Sequence, residues 1–119
     1  MKQYHEPVEY LDEEAEDFTR ALNSLKEEVE AVDWYHQRVV ASKNPELKAI
    51  MAHNRDEEIE HAVMTLEWLR RNMDKWDEEM QTYLFKEGSI TELEDEAMSG
   101  EESSSTSQKG DSLNIGDLK

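Results

Sequence analysis

Apolar side chains recur every three or four residues through the first part of this 119-residue chain, a spacing that predicts one long amphipathic helix. The stripe consists of Val8, Leu11, Ala15, Phe18, Leu22, Leu25, Val29, Val32 and, after a skipped turn, Val39. Pro45 then disfavours helix at Asn44 and suits the first position of a new helix, with Asn44 as its N-cap. The chain is therefore predicted to form a tight helical hairpin.

A second helix is predicted from about Pro45 to Arg71, and a third, shorter one from about Asp74 to Phe85, before Gly88. The inner face of the second helix reads Leu47, Ile50 or Met51, Asn54, Glu58, His61, Met64 or Thr65, and Trp68. This face is apolar at both ends and polar in the middle. Because an unpaired buried carboxylate is costly, the central polar residues need a functional reason.

The composition limits how much of a core one copy can build. Hydrophobic residues make up 36% of the chain and charged residues another 36%. Without its polar C-terminal stretch the chain has roughly 98 residues, and long helices in so short a chain usually complete their cores by associating. The predicted fold is all-α: an antiparallel two-helix hairpin plus a short C-terminal helix, with a four-helix bundle formed by dimerisation.

The net charge of -17 argues against binding nucleic acid, which requires a basic surface, and disfavours anionic membranes. No apolar run approaches the ~18 residues of a membrane span, and the N-terminus lacks a secretory apolar segment. A cytoplasmic protein is expected. With no cysteine in the chain, any metal must be held by oxygen and imidazole ligands.

Glu58 and His61 are three residues apart, so on a helix they share one face and can reach the same ion. Glu28 lies at the edge of the apolar stripe of the first helix and meets this pair if the two helices pack antiparallel. Two copies related by a two-fold axis would supply four carboxylates and two imidazoles to two metal ions. Iron or manganese suits this donor set.

Simpler interpretations of these residues remain open. In so acidic a chain, Glu28, Glu58 and His61 are also compatible with ordinary exposed helix positions. His53, Glu57 and His61 form a drifting stripe that is compatible with zinc or with surface ion pairs, although the absence of cysteine and of a compact triad disfavours zinc.

A second acidic group surrounds an aromatic residue on the first helix. Glu27, Glu30 and Trp34 share a face distinct from that of Glu28, where two carboxylates can form an outer, weaker cation site; an ordinary solvated acidic face is the alternative. Tyr35 falls on the Glu28 side, either to hydrogen-bond a ligand carboxylate or simply to pack.

Residues 99–112 contain no apolar side chain and are predicted to form a flexible linker between a helical domain, residues 1–98, and a terminal peptide, residues 113–119. Three aliphatic side chains return in the peptide, at Leu113, Ile115 and Leu118. An apolar cluster on a flexible tether is typical of a docking peptide, whereas a frayed end with chance leucines is the alternative.

These residues closely resemble the encapsulated ferritins, ferritin-like proteins that are packed inside encapsulin nanocompartments. The similarity covers roughly residues 5–85 and the terminal peptide. Its most specific stretches are EAVDWY (30–35), HNRDEE (53–58) followed by His61, MTLEWLRRN (64–72) and TYLF (82–85). The terminal peptide is similar to the family's encapsulin-targeting peptide, with Asp117 at a position where serine is common.

The resemblance implies that Glu28, Glu58 and His61 are the ligands of a ferroxidase centre with two irons at a dimer interface. It also implies that Glu27 and Glu30, with Trp34 nearby, form an outer acidic site through which iron enters, and that Tyr35 supports the ligands. Dimers are expected to assemble into a decameric ring inside the encapsulin shell.

A ferroxidase that supplies iron for storage is therefore the expected function, and calcium or zinc can take the place of iron or fill secondary sites. Another carboxylate-bridged di-iron protein of the rubrerythrin kind is one alternative, although no cysteine is present for a rubredoxin-type site. A hemerythrin-like oxygen carrier would need more than the four histidines present. The alternative from a different class is a non-enzymatic dimerising helical adaptor.

Overall fold

The structure, a computed structural model, describes residues 4–103 of the chain and the side chains of residues 4–98. Within that range a short 3-10 helix, Val8–Tyr10, precedes four α-helices: α1 (Glu13–Ala41), α2 (Pro45–Asn72), α3 (Asp74–Tyr83) and α4 (Ile90–Ser103). The all-α prediction is confirmed. No helix in this part of the chain is long and apolar enough to cross a membrane.

Side-chain caps define where the two long helices begin. Asp12 Oδ1 accepts a hydrogen bond from the backbone N–H of Ala15 at 2.8 Å, and Asn44 Oδ1 accepts one from the N–H of Leu47 at 3.0 Å. Each cap satisfies a donor that the first turn of a helix leaves unpaired. Pro45 occupies the first position of α2, where its missing N–H costs nothing. The hairpin turn predicted from Asn44 and Pro45 is confirmed.

Cross-helix contacts establish that α1 and α2 run antiparallel. Near the start of α1, the ring of Phe18 packs edge-on against that of Trp68, with centroids 5.8 Å apart. Toward its end, Arg55 Nη1 lies 3.0 Å from Nδ1 of His36. Because low numbers on α1 meet high numbers on α2, the middles of the two helices face each other.

The hairpin leaves much of its apolar surface uncovered. Among the described residues, the buried apolar side chains are Ala62, Leu69 and Leu93. Large side chains such as Ile50 and Met64 are at least half exposed. Burial of apolar area supplies most of the driving force for association. An exposed apolar surface of this kind therefore favours binding of a further chain.

The described chain divides into two compact units, the first ending at Asn72 and the second beginning at Met73. In the second unit α3 packs against α4, and Leu93 of α4 is buried. The predicted third helix is confirmed, but it ends at Tyr83 rather than Phe85, which has a left-handed φ of 59° that is incompatible with continued helix.

Helix α4 was not predicted from the sequence. Its apolar residues Ile90, Leu93 and Ala97 do have helical spacing, but acidic side chains surround them and the polar run that follows resembles a linker. The helix continues through residues 99–103, so the first five residues of the predicted linker are helical. The remainder of that linker and the terminal peptide, residues 113–119, lie outside the described residues.

Candidate metal centre

Three donor side chains gather in the middle of the hairpin. Ligand atoms of Glu28, Glu58 and His61 all lie within 4.8 Å of one another. His61 Nδ1 is 3.5 Å from Oε2 of Glu28 and 3.8 Å from Oε2 of Glu58. Donors this close can ligate one ion at bond lengths of about 2.1 Å after small side-chain rotations. The predicted meeting of one residue from α1 with two from α2 is found in the structure.

Helix geometry explains why these three residues meet. Glu58 and His61 are one turn apart on α2, so both project toward the same side of the hairpin. Glu28 lies on the face of α1 that packs against α2, between the half-buried Leu25 and Val32. The polar residues therefore occupy positions that an all-apolar hairpin would fill with hydrophobic side chains.

The two carboxyl groups oppose each other electrostatically. A hydrogen bond with the Glu58 carboxyl raises the pKa of Glu28 above its usual range, and desolvation and the charge of Glu58 act in the same direction. The nearby His61 acts in the opposite direction. When both carboxylates are ionised they repel, and a cation placed between them removes that repulsion.

The cluster is open on one side. The His61 side chain is 44% exposed, whereas those of Glu28 and Glu58 are 23% and 25% exposed. Two carboxylates and one imidazole leave free coordination positions on an octahedral metal such as iron or manganese. The donor set fits such a metal but does not complete its coordination sphere.

The residues of the outer acidic site predicted from the sequence are more exposed than Glu28 and Glu58. Glu27, Glu30 and Trp34 are exposed on α1, with Trp34 at 50% exposure. Among the residues with described side chains, Glu28, Glu58 and His61 form the only group of three or more potential metal ligands close enough to hold one ion. Within the described part of one copy, Glu27 and Glu30 therefore do not belong to a group of three or more ligands, and the weaker two-carboxylate site stays a prediction.

Tyr35 occupies the position that breaks the apolar stripe of α1. It is half-buried, three residues after Val32 and four before Val39, and the guanidinium of Arg38 lies 5.1 Å from its ring centroid. The guanidinium and the ring therefore form a cation–π contact.

The zinc alternative is not assembled in one copy. His53 Nε2 lies 3.8 Å from Oε1 of Glu57, and both side chains are more than half exposed. His61 instead contacts Glu28 and Glu58, so the stripe of residues 53, 57 and 61 does not converge within the described part of the chain.

Two contacts close to the cluster were not predicted from the sequence. Arg55, one turn before Glu58, contacts His36 across the hairpin, and the Thr65 hydroxyl donates to the backbone carbonyl of His61 at 3.2 Å. The only sequence signal for Arg55 was its place in the HNRDEE stretch, since periodicity alone does not identify a partner on another helix.

With this geometry established, the chain can be compared with known proteins. Residues 3–87 match the EncFtn-like family. The chain belongs to this family. The resemblance to the encapsulated ferritins is thereby confirmed, and with it the ferritin-like helical fold.

Two relatives are similar to this EncFtn-like chain over most of its length. A "Ferritin-like protein" from Thermotoga maritima is 62% identical over 100 residues, covering 84% of this chain and 88% of the relative. An "Encapsulated ferritin-like protein" from Rhodospirillum rubrum is 58% identical over 121 aligned residues, covering 97% of this chain and 86% of the relative.

A solved structure is similar in both fold and sequence. The crystal structure of a protein from Nitrosomonas europaea has a TM-score of 0.72 and 55% identity, and the alignment covers 75% of this chain and 98% of that one. The fold of this EncFtn-like chain therefore has an experimental counterpart over most of its described length.

The raised pKa of Glu28 predicts how the stability of the metal-free protein varies with pH. The folded state binds this proton more tightly than the unfolded chain, whose reference pKa is 4.5. The resulting stabilisation is complete below the unfolded pKa and is lost as the pH rises through the folded pKa. Glu28→Gln should therefore raise the denaturation midpoint at neutral pH and flatten its pH dependence, as measured by chemical unfolding in chelator.

The control is Glu60→Gln, which neutralises an exposed carboxylate near the middle of α2. It should move the midpoint less than Glu28→Gln does. A Glu28→Gln protein that is no more stable than wild type at neutral pH would contradict the proposed repulsion.

Proposed function

We propose that the protein is a ferroxidase that oxidises Fe(II) to Fe(III) at a di-iron site shared between two copies of the chain. The observation that carries the proposal is the open cluster of Glu28, Glu58 and His61. Membership of the EncFtn-like family and the names of its ferritin-like relatives support an iron-related role.

The ligand count favours a shared site. One copy offers two carboxylates and one imidazole, which is half the set of a ferritin-like di-iron centre. A two-fold axis beside the cluster brings two halves together and supplies four carboxylates and two imidazoles to two iron ions.

The surface around the cluster supports the same arrangement. His61 lies on an α2 face whose apolar members Ile50, Met64 and Trp68 remain 50%, 58% and 38% exposed. A polar ligand group framed by exposed apolar side chains is suited to a self-complementary interface, because the apolar frame excludes water once it is covered.

The chemistry requires the protein to hold two Fe(II) ions close together while each loses one electron. Carboxylates tolerate the rise in iron charge, and the imidazoles complete the coordination of each ion. Dioxygen or a partly reduced form of it accepts the electrons. Because the same donors accept other divalent cations, calcium or zinc can occupy the centre or secondary sites in place of iron.

In the wider assembly, dimers join into a decameric ring. The sparse burial within one hairpin supports association beyond the monomer. An open ring cannot enclose a mineral, so the iron is stored inside an encapsulin nanocompartment in the cytoplasm, with the encapsulin shell protein as partner. The name of the Rhodospirillum rubrum relative, "Encapsulated ferritin-like protein", supports this location.

Leu113, Ile115 and Leu118 serve as the docking side chains of an encapsulin-targeting peptide. A segment of 14 residues, 99–112, separates them from residues 1–98, and its first five residues belong to α4. Several such peptides on one oligomer add their weak individual affinities through avidity.

Glu27 and Glu30 act before the redox step, by attracting iron toward the cluster. Both are exposed on α1 beside the half-exposed Trp34, one residue before and two residues after Glu28. An outer site completed by the same residues of a second copy would stand next to the shared centre, and Tyr35 supports the inner ligands from the helix interface.

Anaerobic iron titration followed by exposure to oxygen distinguishes a ferroxidase from the two alternatives, an adaptor and a rubrerythrin-like protein. An adaptor binds no stoichiometric iron and consumes no oxygen. A rubrerythrin-like peroxidase oxidises its iron faster with peroxide than with dioxygen.

Removal of any one ligand should disable the centre, since each substitution deletes two ligands from a symmetric site. Glu28→Ala, Glu58→Ala and His61→Ala should each lower the initial rate of iron oxidation by at least about tenfold. They should also weaken the shift from monomer to larger species that Fe(II), Zn(II) or Ca(II) induces in metal-free protein, because metal stabilises the dimer by mass action. Oxygen consumption and native mass spectrometry measure the two effects.

Glu60→Ala and His53→Ala are the matched controls, because both remove exposed donors on α2 outside the cluster. Both should retain near-normal oxidation. Unchanged kinetics in all three ligand variants would rule out the assignment of the centre.

Replacing the outer acidic residues should change iron delivery but not the inner site. The double variant Glu27→Ala/Glu30→Ala should take up Fe(II) at an altered rate, because two charges that attract cations are lost. Its crystals should still hold metal at Glu28, Glu58 and His61. An inner site that stays empty in this variant would show that the two groups form one site.

Deletion of residues 113–119 should abolish co-purification with a co-expressed encapsulin and leave iron oxidation intact, because docking and catalysis reside in separate segments. Fusion of the same peptide to an unrelated soluble protein should load that protein into the shell. Normal encapsulation of the truncated protein would assign docking to another surface.

A further inference from the structure

The turn end of the hairpin is basic in a chain that is otherwise strongly acidic. Residues 36–55, which comprise the end of α1, the connecting turn and the start of α2, contain four Lys and Arg side chains and one carboxylate, Glu46. This segment, the basic tip, therefore carries a net charge of +3. Because the whole chain carries -17, its remaining residues together carry -20.

The lysines of the basic tip are not neutralised by nearby carboxylates. Elsewhere on the chain, Arg20, Arg70 and Lys75 each pair with an acidic side chain one turn away. Within the described residues Lys43 and Lys48 form no ion pair, and both are exposed. The basic tip therefore presents a positive field that an acidic partner can meet.

Apolar side chains accompany these lysines. Val40 is 67% exposed and Leu47 is 48% exposed, and both lie within the basic tip. An acidic partner that also carries apolar side chains would bury apolar area as well as pair charges there.

Helix α4 has the complementary properties. Residues 87–108 contain seven carboxylates and no Lys or Arg. Ile90, Glu94 and Met98 follow one another at intervals of four, so they share one face of α4. Ile90 is 70% exposed and Met98 is 61% exposed, whereas Leu93 of the same helix is buried. The outer face of α4, defined by residues 90, 94 and 98, is therefore both acidic and apolar.

The carboxylates of α4 also act on a neighbouring side chain of α3. Desolvation raises the pKa of Tyr83 above its usual value, and the charges of Glu94, Glu79 and Asp95 act in the same direction. No basic residue between positions 87 and 108 offsets these charges. Contact with a basic surface would supply the missing counter-charge.

We propose that the outer face of α4 docks on the basic tip of a second copy of the chain. The carboxylates of α4 then lie beside Lys43 and Lys48, and its exposed apolar side chains cover Val40 and Leu47. None of these residues belongs to the metal cluster, so the contact does not depend on the proposed ferroxidase centre.

The charge of the chain favours a second copy as the partner. Copies that each carry -17 repel one another when they associate, so a contact that pairs opposite charges is favoured. Every copy carries both surfaces, and an oligomer holds them at a high effective concentration. Helix α4 lies beyond residues 3–87, which match the EncFtn-like family, so this contact is distinct from those made by the matching residues alone.

Zero-length cross-linking tests the contact in the unmodified protein. A carbodiimide joins a lysine amine to a carboxylate that touches it, with loss of water. Metal-loaded protein is treated with this reagent, separated on a denaturing gel and digested for mass spectrometry. Peptides that join Lys43 or Lys48 to a carboxylate of residues 92–96 should occur in the covalent-dimer band and be absent from the monomer band.

The gel bands also identify any other partner of the basic tip. The same peptides in the monomer band would show that α4 meets the tip of its own chain. Links from Lys43 and Lys48 only to other carboxylates, or to a co-purified encapsulin, would give the tip a different partner. Each of these results would overturn the inference.

Charge reversal tests whether the contact holds copies together. Lys43→Glu/Lys48→Glu and Glu94→Lys/Asp95→Lys should each weaken association of the copies by about tenfold, because like charges then face each other. The variant that combines all four substitutions should recover most of the lost affinity, since the opposite charges are restored with their positions exchanged. Native mass spectrometry over a range of protein concentrations measures the association.

Lys26→Glu/Lys86→Glu is the matched control, because it makes the same change in net charge at two exposed lysines outside the basic tip. It should weaken association less than Lys43→Glu/Lys48→Glu does. Equal weakening in the control, or a combined variant that associates no better than either double variant, would overturn the inference.

Discussion

The close approach of Glu28 and Glu58 across the hairpin is the constraint on which the rest of the structure depends. Two carboxyl groups occupy the contact face of α1 and α2, where apolar residues would stabilise the pair better. Their proximity raises the pKa of Glu28 and makes the ionised pair repulsive without a cation. The hairpin thus carries a destabilising carboxylate pair at its centre, and the proposed metal would neutralise it.

The hairpin also buries few apolar side chains by itself, so it has little stabilisation to offset the repulsion between Glu28 and Glu58. The Phe18–Trp68 contact on one side of the cluster and the His36–Arg55 contact on the other align α1 with α2. Most large apolar side chains near the cluster nevertheless remain exposed. In the proposed assembly, metal and a second copy together supply what one copy lacks: counter-charge for the carboxylates and cover for the apolar stripe. Oligomerisation and iron binding are then two aspects of one equilibrium.

Local sequence signals predicted the parts of the structure that depend on local geometry. Asn44 and Pro45 determine the start of α2, and the three-residue spacing of Glu58 and His61 determines that they share a face. The position of Glu28 followed from its place beside the stripe of α1. The helix α4 was missed because its few apolar residues lie within an acidic, linker-like composition. The Arg55–His36 contact was missed because periodicity identifies the face of a helix and not the residue that meets it.

Diffraction at the iron edge, from a crystal soaked anaerobically in Fe(II), tests the shared centre most directly. A shared centre predicts two anomalous peaks close together, one on each side of a two-fold axis between copies, with Glu28, Glu58 and His61 of both chains around them. One peak per chain that is bound only by residues of that chain, or no peak at this cluster, would contradict a ferroxidase centre completed by dimerisation.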